Sequence, residues 1–279
     1  MTLREAYEYG QEQLKRVSIE DAALDAWYLL EYVTGITRSR YFLDMNKSLS
    51  EEEERQYCEY VAIREKHVPL QHITGVQEFM GLEFCVNEHV LVPRQDTEVL
   101  VESVLDVLKP GMRVLDMCTG SGCILISLLK LGSHENVSGT GVDISEEALR
   151  VACRNAEKID VDAKFLHSDL FSNVEGMYDV IVSNPPYIRT SVIEELEDEV
   201  KFHDPILALD GKEDGLYFYR KIIEEAPNYL KSNGRLYFEI GHDQGEDVSR
   251  LMREAGFANV TVKKDLAGLD RVVFGAYNV

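Results

Sequence analysis

A chain of 279 residues, 45% hydrophobic and 28% charged, is long enough for one large core or two smaller ones. Its formal net charge of −21 argues against a protein that wraps a long stretch of nucleic acid, because such binding depends on cationic contacts with phosphates. No apolar run reaches membrane length and the start from Met1 to Gly10 is charged and polar, so a cytoplasmic protein with no membrane partner is expected.

Residues 1–75 read as a helical bundle. Thr2 caps a first helix running to Val17, and Ser18 precedes a second that Gly35 stops. Ser50-Glu51-Glu52-Glu53 is a capping box, because Glu53 stands three residues after Ser50. The helix it opens carries Tyr57, Tyr60, Val61 and Arg64 and ends before Pro69. No cofactor motif occurs here, which leaves packing or partner recognition as its role.

In the linker, residues 76–95, the period changes. Phe79–Val86 partly alternates and Val90-Leu91-Val92 follows Asn87-Glu88-His89, so a β-hairpin is expected there. Pro93 ends it, and Asp96 or Thr97 caps the next helix. From residue 96 to 279 strands alternate with helices. Strands are expected at Val114–Asp116, Ser138–Asp143, Ala163–His167, Val180–Val182, Arg235–Ile240, Asn259–Lys263 and Arg271–Tyr277. Helices are expected at Cys123–Leu131, from Ser145 to Ile159, Gly215–Leu230 and Gln244–Ala255, and an irregular acidic segment spans 189–214. This alternation means an α/β fold with a mostly parallel, doubly wound sheet.

Chemistry concentrates after the strand through Val182. In Asn184-Pro185-Pro186-Tyr187, two prolines remove two backbone donors and fix two φ angles, so the strand stops on a stiff turn. Ligands in open α/β sheets bind at such carboxyl ends. The Asn184 side-chain oxygen and the locked carbonyls of Pro185 and Pro186 are acceptors, and Tyr187 is a flat face. Together they suit a planar group carrying an NH2. Alone, a bare Asn-Pro-Pro merely ends a strand.

The second element is Asp116 to Gly122, where Cys118, Thr119, Gly120, Ser121 and Gly122 let backbone approach a ligand closely. Asp143 ends the next strand, 21 positions past Gly122, the place of an acid that bonds a ribose diol. Neither GxGxxG nor Gly-Lys-Ser/Thr occurs, so a dinucleotide and a P-loop are disfavoured. A glycine-poor loop preceded by an acid better suits S-adenosylmethionine, whose amino-acid end replaces pyrophosphate. Asp143 and Asp169 also lie where acids cap helices, and Asp116 where a buried acid caps a loop. The five cysteines form no CxxC pair, so no metal site is expected.

These motifs resemble those of the class I, Rossmann-like, seven-stranded methyltransferases that act on planar amino groups, and within them the peptide chain release factor glutamine methyltransferases. Asp116–Gly122, Asp143, Ser168-Asp169-Leu170-Phe171 and Asn184-Pro185-Pro186-Tyr187 carry the resemblance. So do Pro69–Gly75, Val92-Pro93-Arg94-Gln95-Asp96-Thr97-Glu98, Asp204-Pro205, Asp214-Gly215-Leu216, Glu239-Ile240-Gly241 and Asp270-Arg271. It covers nearly the whole chain, the helical part mainly in arrangement. Cys118 stands where the family often has glycine, and Gln95 where it often has proline.

The resemblance implies that Cys118–Gly122 line the methionine and ribose of the cofactor, that Asp143 takes the ribose hydroxyls, and that Asp169 and Leu170 border the adenine. It implies that Asn184 to Tyr187 hold the substrate amide, with Asn184, Pro185 and Tyr187 catalytic. The substrate would be the glutamine of a Gly-Gly-Gln motif in class 1 release factors, and the enzyme a monomer without nucleic acid. Two alternatives remain: an adenine-N6 methyltransferase on DNA or RNA, whose target is also a planar NH2, and a non-catalytic, ribosome-associated cofactor-binding protein.

Overall fold

A computed structural model describes residues 1–132 and 136–278. The chain forms two compact units: residues 1–76 with 197–203, and residues 77–196 with 204–279.

The first unit holds α1 (Leu3–Arg16), α2 (Ala22–Thr34), α3 (Arg38–Asp44), α4 (Glu51–Arg64) and α5 (Leu70–Thr74), joined by the distant α9 (Asp198–His203). Both Thr2 with Glu5 and Ser50 with Glu53 form capping boxes, each satisfying two otherwise orphaned backbone donors. Ser18 does not begin α2: it adopts φ 63°, and Asp21 is the N-cap. Trp27 and Tyr41 are buried and pack edge to face, 5.3 Å between ring centroids.

A charged cluster lies in this apolar setting. Arg64, 5% exposed, donates from Nε to Asp25 Oδ2 at 2.7 Å, from Nη2 to Glu199 Oε2 at 2.6 Å and from Nη1 to the Val68 carbonyl at 3.0 Å. One guanidinium thus gathers α2, α4 and α9. His203 reaches the Lys66 carbonyl at 3.2 Å beside it.

The second unit opens with a hairpin whose strands are β1 (Val76–Phe79) and β2 (Leu82–Cys85). The expected hairpin lay further on, with its turn at Asn87-Glu88-His89. The turn is Met80-Gly81, with φ 53° and 71°, the paired positive values that match strand twist. A methionine there gives no turn signal. Glu98 Oε1 holds it by accepting the Met80 N–H at 2.6 Å, and Val90 packs with Val86, Ala148 and Val151 instead of forming a strand.

Then follow α6 (Gln95–Leu105), β3 (Arg113–Met117), α7 (Cys123–Leu131), β4 (Ser138–Asp143), α8 (Glu146–Ile159), β5 (Lys164–His167) and β6 (Tyr178–Ser183). After a 3-10 turn, Thr190–Glu195, and α9 come α10 (Ile206–Leu209), α11 (Tyr217–Glu225), β7 (Leu230–Glu239), α12 (Gly245–Glu254), β8 (Phe257–Lys264) and β9 (Asp270–Tyr277). The helix expected to reach Leu230 stops at Glu225 because Pro227 turns the chain into a short 3-10 segment. Arg94 holds the N-cap position of α6 without a side-chain cap bond, so Asp96 and Thr97 fall inside the first turn and Thr97 is free to face inward.

The sheet has seven strands in the order β5-β4-β3-β6-β7-β9-β8. Every pair is parallel except those of β9, which runs against both β7 and β8. This is the mostly parallel, doubly wound sheet expected. Cores cover both faces, one including Leu115, Ile181 and Phe238 and the other Val114, Val180 and Val182. The connections reverse at β3, which has β4 on one side and β6 on the other. That switch point opens a crevice at the carboxyl ends of the strands.

Candidate functional site

Register brings the singled-out residues to one edge. Met117 pairs with Val142 and with Ser183, and Asp143 pairs with His167. The residues that follow, Cys118, Asp143 itself, Ser168 and Asn184, therefore leave the sheet side by side. Ser183 Oγ donates to the Met117 carbonyl at 2.7 Å and fastens the two central strand ends.

The loop after β3 is held from below. Thr119 Oγ1 donates to Asp116 Oδ2 at 2.6 Å, and the Thr119 N–H to the Val142 carbonyl at 2.9 Å. Gly120 donates its N–H to Asp143 Oδ2 at 2.9 Å, while Asp143 Oδ1 accepts from Ser145 N at 2.9 Å. Asp143 thus carries a capping duty as well, and its two oxygens keep lone pairs for further donors. Asn155, fully buried on α8, donates to the Ser121 carbonyl at 2.9 Å and exchanges both its amide bonds with Cys85. It couples hairpin and loop, and no motif in the sequence announced it.

The loop's backbone is left-handed at Cys118, Gly120 and Gly122, with φ 61°, 55° and 79°. A Cβ on Gly120 would meet nothing within 4 Å, so the loop faces open space, as a cradle for a nucleoside cofactor must. On Gly122 it would strike Ile126 and Ala152. Glycine is the residue suited to Cys118's φ, which explains the departure noted in the sequence: the cysteine carries strain of about 1–2 kcal/mol. Cys118→Val should lower stability by about 2 kcal/mol, whereas Cys118→Gly should stay within about 1 kcal/mol of the native chain. Urea unfolding checks both. Burial pushes the Cys118 thiol up, so its sulfur is a neutral thiol, not a thiolate.

After β5, Asp169 is exposed, and Leu170 is half-buried with φ 47°, its carbonyl accepting from Ser168 Oγ at 2.6 Å. Ser168 N–H donates to the Asp143 carbonyl at 3.0 Å, so this loop adjoins the Asp143 strand end.

The Asn184–Tyr187 corner is over-determined. Pro185 and Pro186 are buried, and Asn184 and Tyr187 half-buried. Gln244 Nε2 donates to the Tyr187 carbonyl at 3.1 Å and to the Gly215 carbonyl at 3.3 Å. Ile188 exchanges backbone bonds with Leu209 and Gly211 at 3.0 and 2.8 Å. A Cβ on Gly211 would lie 2.7 Å from Tyr187 Cα, so only glycine admits the close approach. Asn184 Nδ2 points to Thr97 Oγ1 at 3.5 Å. Its Oδ1 and the Pro185 carbonyl take no protein donor among the described residues. Two fixed acceptors therefore remain for an incoming NH2. Burial pushes the Tyr187 hydroxyl up to about 12, so the ring stays neutral.

Behind the corner lie Thr97 and Glu239, both buried, which sequence reasoning did not place in a site. Glu239 ends β7. Burial pushes its carboxyl up to about 7, against the opposing influence of the nearby Thr97 hydroxyl and the charge of Arg271. Burial likewise pushes Asp116 up to about 7. Arg94 pairs with Asp204 at 2.9 Å inside this unit.

These two acids set a stability slope. Unfolded, each ionises near pH ~4; folded, each holds its proton to about 7. The folded state binds more protons between those values, so stability falls as pH rises through that window. The carboxyls held low, such as Asp214 at about 2, act only in more acid solution. The urea midpoint of the ligand-free protein should drop from about pH 5 to about pH 8, and Asp116→Asn should flatten that drop.

Among the described residues, no group of three acidic, histidine or cysteine side chains could hold a metal, and no helix is long and apolar enough to cross a membrane.

Comparison with known proteins agrees with this geometry. Residues 5–75 match the family model described as PrmC N-terminal domain, and residues 94–199 that described as Methyltransferase small domain. The chain is 40% identical over 283 residues to the release factor glutamine methyltransferase of Caulobacter vibrioides, covering 100% of this chain and 97% of that one. It is 40% identical over 275 residues to the protein of that description in Geobacter sulfurreducens, covering 98% and 96%. The Bacillus subtilis counterpart is 36% identical over 282 residues, covering 98% and 96%. A solved methyltransferase from Pyrococcus furiosus shares the fold at TM-score 0.54 and 18% identity, covering 72% of this chain and 91% of that one.

Proposed function

The chain belongs to the release factor glutamine methyltransferase family, and on that premise we propose that it methylates the side-chain amide nitrogen (N5) of the glutamine in the Gly-Gly-Gln motif of class 1 release factors. The single observation that carries this reading is the pair of unengaged acceptors, Asn184 Oδ1 and the Pro185 carbonyl, on a corner that cannot shift.

S-adenosylmethionine is the cofactor and supplies, when bound, an electrophilic methyl carbon on a sulfonium. Cys118–Gly122 would line its methionine and ribose, Asp143 would take the ribose hydroxyls, and Asp169 with Leu170 would border the adenine. The open face of Gly120 and the spare lone pairs of Asp143 support that assignment.

A glutamine amide nitrogen is a poor nucleophile, because its lone pair is delocalised into the carbonyl. Asn184 Oδ1 and the Pro185 carbonyl each accept one N–H and turn the lone pair toward the methyl carbon. Accepting both bonds also favours pyramidal nitrogen as the carbon–nitrogen bond forms, the carbon–sulfur bond breaks and a proton leaves. Pro186 locks the turn, and Tyr187 packs on the amide plane. The helical residues 1–75 recognise the partner, and residues 96–279, apart from 197–203, which belong to the helical unit, form the catalytic domain. The enzyme acts as a monomer in the cytoplasm without touching nucleic acid.

The test is methyl transfer from labelled S-adenosylmethionine to purified release factor, to the same factor with its motif glutamine replaced by alanine, and to DNA. Label in the native factor alone is expected; label in DNA alone overturns the reading.

A further inference from the structure

A second primary amide meets the corner from behind. Gln244, at the N-cap position of α12, is 3% exposed. Its Nε2 donates to the Tyr187 carbonyl at 3.1 Å and to the Gly215 carbonyl at 3.3 Å. Its Oε1 accepts the Gly241 N–H at 3.0 Å and stands 3.4 Å from the Tyr219 hydroxyl. Tyr219, fully buried on α11, donates in turn to the Glu239 carbonyl at 2.9 Å.

Backbone chemistry settles which end of this amide faces the corner. A peptide carbonyl only accepts and a peptide N–H only donates. Turned over, Gln244 would set its oxygen against the Tyr187 and Gly215 carbonyls and its NH2 against the Gly241 N–H. Partners of fixed polarity on both ends therefore hold one orientation. Helix capping does not account for the residue, because Gln244 makes no side-chain cap bond to α12. Nor does filling space, since an apolar side chain would do that without desolvating an amide.

The two carbonyls belong to opposite ends of an excursion. The chain leaves the corner at Tyr187, runs through 188–214 and returns at Gly215. Two glycines admit the clasp. A Cβ on Gly215 would collide with the Tyr187 carbonyl oxygen and lie 2.7 Å from Gln244 Nε2, and one on Gly241 would lie 3.0 Å from Gln244 Oε1.

We propose that Gln244 is a positioning residue for methyl transfer, holding the Tyr187 peptide so that the corner keeps the plane against which the substrate amide lies. This rests on the assignment of that corner as the amide grip. Gln244 touches neither substrate nor cofactor and acts through Tyr187. Proline fixes φ at 186, so a tilt of the Tyr187 peptide is passed back to the Pro185 carbonyl rather than absorbed between them.

The experiment uses the full chain, purified release factor and labelled S-adenosylmethionine, with native protein, Gln244→Met, Gln244→Glu and Asn184→Ala. Gln244→Met keeps the length of the side chain and removes its amide. Its kcat should fall about 10- to 100-fold, with calorimetric affinity for S-adenosylmethionine within about threefold.

Gln244→Glu separates positioning from packing. Ionised, its carboxylate opposes the two carbonyls; protonated, its O–H donates to one of them. Titratable and charged groups around this position are Tyr187, Tyr219, Glu239, Asp243 paired with Arg189, and Asp270 paired with Lys264. Burial favours the protonated carboxyl there. The kcat of Gln244→Glu, divided by the native value at each pH, should rise about fivefold or more from about pH 8.5 to about pH 6. That division removes the titrations of Asp116 and Glu239, which both proteins share, and urea midpoints at each pH establish that the variant is folded. Should Gln244→Met fail to fold, the Gln244→Glu ratio decides. Native kcat in Gln244→Met, or a flat ratio in Gln244→Glu, with Asn184→Ala inactive, overturns the positioning role and leaves the grip standing. Native kcat in Asn184→Ala overturns the grip, and the positioning role with it.

Discussion

Asn184→Ala is expected to lower kcat by about 100-fold or more while leaving S-adenosylmethionine affinity within about threefold. The substitution removes one of two acceptors on a rigid corner, so the amide of the substrate glutamine keeps only the Pro185 carbonyl. One hydrogen bond cannot set both the direction of the nitrogen lone pair and its pyramidal geometry. The loss should appear in kcat more than in KM, because the bond strengthens as positive charge develops on nitrogen. In the proposed assignment the cofactor is held chiefly by the Cys118–Gly122 loop and Asp143, which neighbouring strand ends supply. Stopped-time transfer to release factor measures kcat, and calorimetry with S-adenosylmethionine measures affinity. Unchanged turnover would refute the grip.

The largest effect on stability is expected in the helical unit. Arg64→Ala should cost about 3–5 kcal/mol, because it leaves buried Asp25 with its charge uncompensated and frees Glu199 as well. Burial already raises the Asp25 carboxyl above its ordinary range, with Arg64 opposing, so removing Arg64 drives it to take up a proton. Restoring shape without charge should recover part of the loss: Asp25→Leu with Arg64→Leu should be more stable than Arg64→Ala alone. Urea unfolding followed through Trp27, the single tryptophan, reports this unit directly. A cost below about 1 kcal/mol would mean that the cluster is solvated and behaves as a surface pair.

The sheet was legible because its signals are local. Apolar strands bounded by Gly, Asp and Pro, with amphipathic helices between, require no knowledge of distant contacts. Asn184-Pro185-Pro186-Tyr187 could be read for the same reason, since proline fixes geometry wherever it stands. What the sequence hid depends on long-range partners. Thr97 looked like a cap because threonine before an apolar run usually is one. Arg94 holds the N-cap position without a side-chain cap bond, and Thr97 turns inward to Asn184, 87 positions later in the chain. Asn155 resembles any polar residue on a helix, and only the folded chain reveals that it ties Cys85 to Ser121. The Met80-Gly81 turn was missed because methionine rarely adopts positive φ, and Glu98 holds it there from another element. Nor could local pattern assign residues 197–203 to the helical unit. Arg64 gathers them there, 135 positions away from Glu199.

The most direct test of the central claim is a crystal structure of the protein with S-adenosylhomocysteine and a release-factor peptide bearing the Gly-Gly-Gln motif. The grip predicts the glutamine amide nitrogen within about 3 Å of both Asn184 Oδ1 and the Pro185 carbonyl, with the cofactor sulfur in line beyond it. A glutamine bound elsewhere, or with its amide oxygen turned toward Asn184, would contradict it.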